Sequence, residues 1–141
     1  MPKSTLPPEY RRGRSVVTCL HAHLVFTPKY RRGVFTATLL ETCERTMREV
    51  CDNFGVTLVE FNGEPDHVHL LIEYPPTVQL SRLVNSLKGV SARVLRRDHM
   101  PAIRRYLWGE HFWSPSYFAG SVGGAPLDIL KTYIENQNRP T

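Results

Sequence analysis

Residues 56–74, VTLVEFNGEPDHVHLLIEY, decide the fold. Two runs rich in Val, Leu, Ile and Phe flank Gly63, Glu64 and Pro65, and this pattern reads as two short strands joined by a turn. Successive side chains on a strand point to opposite faces. In the second run Val68, Leu70 and Ile72 therefore share one face, while His67, His69, Leu71 and Glu73 share the other. The first face suits a core. The second presents two imidazoles two residues apart.

Upstream, SVVTCLHAHLVFTPK (residues 15–29) repeats the arrangement, with Val16, Leu20, Ala22, Leu24 and Phe26 opposite Cys19, His21, His23 and Val25. Between these strands, residues 38–54 have helical spacing: Leu39, Leu40, Cys43, Met47, Val50 and Phe54 form one stripe, and Gly55 is placed to end the helix. A second helix is expected over residues 78–97, with Leu80, Leu83, Val84, Leu87, Val90, Val94 and Leu95 on its apolar face. Gly89 falls on the polar side, where a missing side chain would let a phosphate backbone come close. EHFWSPSYFAGSVGG (residues 110–124) offers a fourth strand ended by glycines. A last helix, residues 126–138, follows Gly120, Gly123 and Gly124, which offer a hinge; Leu127, Leu130 and Ile134 are its apolar contacts.

Strand, helix, strand, strand, helix, strand is an α+β plan: the ferredoxin-like (RRM-like) βαββαβ antiparallel sheet, here with an extra C-terminal helix. Two helices cover one face of such a sheet and leave the other open. The histidines lie on the face expected to be open.

With 141 residues the chain is long enough for one domain, residues 1–141, with its own core. Residues 1–14 read as a loose basic arm because Pro2, Pro7 and Pro8 oppose helix. Eighteen Lys and Arg against 13 Asp and Glu give a formal charge of +5, which suits a polyanionic partner as well as an ordinary solvated surface. Cys19, Cys43 and Cys51 show no CxxC spacing, so they read as buried thiols in a reducing cell. No secretory h-region and no long apolar span occurs, and a cytoplasmic protein without membrane association is expected.

Two histidines at i and i+2 on a strand project the same way and are near enough to chelate one ion. Two ordinary surface histidines satisfy the same pattern. In KTYIENQ (residues 131–137), Tyr133 and Gln137 lie four apart and so on one helix face. Tyrosine supplies a nucleophilic oxygen and glutamine an oxygen ligand, though a tyrosine packed beside Leu130 fits the spacing equally.

DHVHLL is a histidine–hydrophobic–histidine (HUH) motif. Together with HLVFTPKYRRGVF, LKGVSAR, WSPSYFAGSVG and YIENQ, in unbroken order, it makes the chain resemble the single-tyrosine HUH transposases of small prokaryotic insertion sequences. The resemblance implies that His67 and His69 are metal ligands, Gln137 the third protein ligand and Tyr133 the nucleophile. It implies Mg²⁺ or Mn²⁺ as cofactor, single-stranded DNA with hairpins at element ends as partner, and a 5′-phosphotyrosine intermediate. It also implies a homodimer in which the last helix can complete the partner's site. A divalent cation suits that chemistry because attack on a phosphodiester builds negative charge on its nonbridging oxygens.

Candidate phosphate contacts are Arg14, Arg31, Arg32, Lys88 and Arg93, with Tyr30, Trp113, Tyr117 and Phe118 as stacking partners for unpaired bases. His21, His23, Glu60 and Asp66 have no assigned catalytic role. Three other readings compete with a transposase: a non-enzymatic single-stranded nucleic-acid-binding module, a domesticated relative acting on chromosomal palindromic repeats, and a metal hydrolase.

Overall fold

The computed structural model describes residues 10–104, 111–137, 139 and 140, without the side chains of 124–127. Its centre is the expected hairpin: β4 (Thr57–Glu64) pairs antiparallel with β5 (His67–Glu73), and Glu64 stands opposite His67 across a turn of Pro65 and Asp66. Gly63 is required there. A Cβ on it would sit 2.8 Å from the His67 carbonyl oxygen and 3.0 Å from the Leu40 side chain, so glycine lets the first helix lie close against the hairpin.

β3 (His21–Phe26) runs antiparallel beside β5, with Val25 opposite His69, and β6 (Phe118–Val122) pairs with its far side. The order β4-β5-β3-β6 is that of the ferredoxin-like sheet. α1 (Ala37–Asn53) and α2 (Leu80–Arg104) supply the core on one face, packing Leu39, Leu40, Met47, Leu83 and Leu87 over Ala22, Leu24, Phe26, Val68, Leu70 and Ile72. Each large apolar side chain buried this way contributes about 1.5–3 kcal/mol. The Thr36 hydroxyl caps α1 by accepting from the Leu39 N–H at 3.3 Å, and Gly55 ends it at φ +70°.

Three expectations change. Residues 11–18 are structured: β1 (Arg11–Arg12) pairs with β2 (Val17–Thr18). Arg11 forks onto both carboxylate oxygens of Glu73 at 2.7 Å and also reaches the Gly55 carbonyl at 2.8 Å. Residues 17 and 18 pair with β1 instead of extending β3, and Val16 is exposed rather than in the core. Residues 1–9 of the expected arm lie outside the described residues.

α2 runs past residue 97 to Arg104, with a kink at His99 (φ −132°, ψ 28°) ahead of Pro101. Proline interrupts the hydrogen-bond ladder but tolerates the first turn of a renewed helix. His99 Nε2 lies 2.8 Å from the Thr42 hydroxyl, tying the kink to α1, and Ile103 is buried.

The sheet's second face is not left open. α3 (Gly124–Glu135) crosses it, and Ile134 is buried against Leu71 with Val59, Val122 and Leu130 around them. α3 begins two residues before the expected start and ends earlier, at a cap on Asn136; Asn138 and the Leu127 side chain lie outside the described part. Among the described residues no helix is long and apolar enough to cross a membrane.

Candidate active site

β5 alternates so that Val68, Leu70 and Ile72 enter the main core while His67, His69 and Leu71 face α3. The two imidazoles are neighbours, their ring centroids 4.8 Å apart at 77°. Each is held by a different partner. Asp66 Oδ1 stands 2.7 Å from His67 Nδ1, and Arg31 donates to Asp66 Oδ2 at 3.2 Å. Burial pushes the Asp66 carboxyl up, but the hydrogen bond and charge of His67 and the charge of Arg31 outweigh it and hold the group below its ordinary value. His67 is thereby oriented through Nδ1, and its Nε2 is turned to other work.

His69 is nearly buried, and its Nδ1 lies 2.8 Å from Nε2 of His23 on the adjacent strand. Burial above all, then the nearby His67 and His23, lowers the His69 pKa to about 4, so the ring is neutral near pH 7. Its Nε2 is buried with no hydrogen-bond partner among the described residues. Such a group costs roughly 1–3 kcal/mol when nothing satisfies it. In the tautomer where Nδ1 donates to His23, Nε2 carries a buried lone pair, the donor a divalent cation needs. The residues present therefore fit a metal ion.

Glu64, Asp66 and His67 form a second grouping, with ligand-type atoms within 4.8 Å of one another at the β4–β5 turn. It shares His67, but its Asp66 is already engaged by His67 and Arg31. The buried lone pair of His69 favours the histidine pair as the centre.

α3 brings Tyr133 to this pair. Its ring meets His69 edge-on at 5.7 Å, and it is 54% exposed, so a large substrate can reach its hydroxyl. Asn62, on β4 directly opposite His69, is buried and donates from Nδ2 to the Ile134 carbonyl at 3.2 Å while Oδ1 accepts from the Gly63 N–H at 2.9 Å. It tethers the turn of α3 that carries the tyrosine. Reading the sequence alone misses Asn62, whose only signal is its place one turn before the HUH strand.

Gln137 departs from expectation. Because α3 is capped at Asn136, Gln137 lies beyond the helix, and its side-chain amide donates to the Tyr133 carbonyl at 3.4 Å. The shared helix face inferred from a spacing of four does not extend to it.

The expected DNA contacts divide. Arg14, Arg31, Arg32, Arg93 and Tyr30 are exposed, and Tyr117 is 41% exposed. Tyr30 and Arg31 both have positive φ, 62° and 51°, in the loop that presents Arg31 to Asp66. Trp113 is corrected: its ring is buried among Phe26, Phe35 and Phe112, and its Nε1 donates to Ser91 Oγ at 3.0 Å, leaving no face for a base. Lys88 is corrected as well. Its ammonium donates to the carbonyls of Ser114 and Ser116 at 2.7 and 3.0 Å, so it clamps the loop before β6 rather than standing free for phosphate. A Cβ on exposed Gly89 would meet no atom within 4 Å. His21, the other unassigned histidine, is buried opposite Glu73.

Comparison with known proteins agrees with this architecture. The family described as "Transposase IS200 like" matches residues 16–137. The chain is 32% identical to the ISDra2 transposase TnpA of Deinococcus radiodurans over 133 residues, 94% of each chain. It is 31% identical to the transposase for insertion sequence element IS200 of Salmonella typhimurium, over 82% of this chain and 74% of that one. A crystal structure of a candidate transposase from Deinococcus radiodurans R1 superposes with a TM-score of 0.73 at 31% identity, covering 93% of this chain and 99% of that one. A REP-associated tyrosine transposase bound to a REP hairpin gives a TM-score of 0.63 over 94% of this chain and 70% of that one; at 13% identity this likeness is one of fold. The chain belongs to the IS200-like transposase family.

Proposed function

We propose that the protein cuts and rejoins single-stranded DNA at insertion-sequence ends, with Tyr133 as nucleophile. The observation that carries this reading is the meeting of an exposed tyrosine with a neutral, buried histidine whose Nε2 has no partner among the described residues. The Tyr133 oxygen forms a bond to phosphorus as the bond to the 3′ oxygen breaks, leaving a 5′-phosphotyrosine and a free 3′-hydroxyl. The hydroxyl proton of the tyrosine passes to solvent, to which the residue is open, and the departing 3′ oxygen takes up a proton from solvent to become the hydroxyl. The linkage keeps its phosphodiester character, so a 3′-hydroxyl can attack it and restore tyrosine without ATP.

His67 and His69, with Gln137 as third ligand on the family resemblance, would hold Mg²⁺ or Mn²⁺. Bound there, the ion supplies charge neutralisation at the phosphate oxygens. Asp66 and His23 orient the two imidazoles from behind. Arg14, Arg31, Arg32 and Arg93 supply phosphate contacts, and Tyr30 and Tyr117 stack on unpaired bases, in a substrate bearing hairpins at its ends. One nucleophile per chain holds one covalent end at a time, so a homodimer serves the two ends of an element.

The test is incubation with hairpin-bearing single-stranded DNA and Mn²⁺, followed by a denaturing gel. A protein–DNA adduct that Tyr133→Phe abolishes is expected. Retention of DNA in a native gel with no adduct under any divalent ion would instead make the protein a binding module, and strand cleavage surviving Tyr133→Phe would make it a metal hydrolase.

A further inference from the structure

A cleft of about 410 Å³ opens between β6 and α3, directly beside Tyr133. His23 stands at its inner end, Phe118 and Gly120 line one wall, and Ile129, Leu130 and Tyr133 line the other. Phe118 is 54% exposed and Ile129 75%, an uncovered apolar pairing of the kind that marks a binding surface.

The Phe118 ring is held in place from two sides. It packs edge-on against His23 at 5.6 Å, and it lies across Gly120, where an added Cβ would come within 2.9 Å of the ring. The absence of a side chain at 120 thus gives the ring its seat. The wall is built, and it is built next to the reaction centre: His23 and Tyr133 each touch both the cleft and His69.

We propose that this cleft receives the nucleobase adjoining the phosphodiester that Tyr133 attacks, an inference that rests on the strand-cutting role of Tyr133. Chain continuity selects the occupant. A phosphodiester at the tyrosine hydroxyl carries a nucleoside on either side, and one of them must lie at the mouth of the cleft. Among the described residues no Lys, Arg, Asp or Glu lines it, so it does not suit the phosphate itself or a charged peptide. Apolar walls and the Phe118 ring suit the π-face of a base, which stacks with little regard to sequence.

The test scans 2-aminopurine along the single strand next to the hairpin, in complex with the Tyr133→Phe protein so that the strand stays intact. Quenching of about threefold or more is expected at one position flanking the bond that the wild type cuts, and Phe118→Ala should restore most of that emission. An abasic residue at the same position should slow wild-type adduct formation about tenfold, and Phe118→Ala should slow it by a similar factor. The two losses should not multiply, because both remove one contact. Ile129→Ala, at an exposed helix position, repeats the measurement from the opposite wall without risk to the core.

Quenching at no position next to the cleaved bond overturns the proposal, as do losses that multiply. So does intact quenching alongside dissociation of a dimer by Phe118→Ala, which would make the cleft a subunit contact. Failure of the wild type to form any adduct overturns the cutting reaction separately, since quenching is read without cleavage.

Discussion

His23 Nε2 lies 2.8 Å from His69 Nδ1, and the two rings lie edge to edge and nearly coplanar, their centroids 5.0 Å apart at 11°. His23 thus fixes the tilt of the His69 ring, and in the tautomer where Nδ1 of His69 donates, its buried Nε2 keeps the lone pair for a cation. His23→Phe keeps an aromatic ring at the position but removes the hydrogen bond. Mn²⁺ binding followed by calorimetry should weaken by about 10–100-fold with the fold retained by circular dichroism. Equal affinity in the two proteins would deny His23 its orienting role.

Asn62 satisfies two buried backbone groups at once, the Ile134 carbonyl and the Gly63 N–H. Asn62→Ala leaves both without that partner, and each loss costs about 1–3 kcal/mol. Urea stability should fall by about 2 kcal/mol or more, with the largest rise in hydrogen exchange in the last turn of α3. Asn62→Asp keeps the acceptor for Gly63 but loses the donor to Ile134, and should loosen the helix end while leaving the β4–β5 turn protected.

The faces of the sheet were legible because alternation over 67–73 and the stripe over 39–50 are periodic signals that survive in any context. The docking of α3 was not. Leu71 sits on the histidine face of its strand, and nothing local says that Ile134, far along the chain, covers it. His23 could be placed on the histidine face, but its contact with His69 depends on the β3–β5 register, which side-chain periodicity leaves open. Trp113 shows the limit of composition. An aromatic near a basic surface suggests stacking, and only the partner Ser91, 22 residues away, reveals a core residue. The helix face expected to carry Gln137 stops short for a local reason: the helix is capped one residue before it.

Glu60 on β4 faces Glu135 at the end of α3. Burial first, then the hydrogen bond and charge of Glu135, raise its pKa, while Lys131 and Arg48 pull the other way. A carboxyl raised on folding contributes stability that is fully present below its unfolded value and is lost as pH rises through the folded one. Above that window Glu60 carries its charge in a partly buried place beside Glu135, which loosens α3. Glu60→Gln keeps a donor without the charge, so its urea midpoint should gain on the wild type as pH rises across the window. A constant difference between the two proteins at all pH values would show that no proton is shared there.

Trp113 decides between a core and a stacking role. Its indole N–H donates to the fully buried Ser91 hydroxyl, which also donates to the Lys88 carbonyl at 3.2 Å. Trp113→Phe deletes that bond and part of the ring packed on Phe26 and Phe35, so a loss of about 1–3 kcal/mol in unfolding free energy is expected. Single-stranded DNA affinity, measured by anisotropy on folded protein, should stay within about twofold, because the ring presents no face to a base. A stacking residue would behave the other way, with stability kept and affinity reduced by about 1 kcal/mol or more.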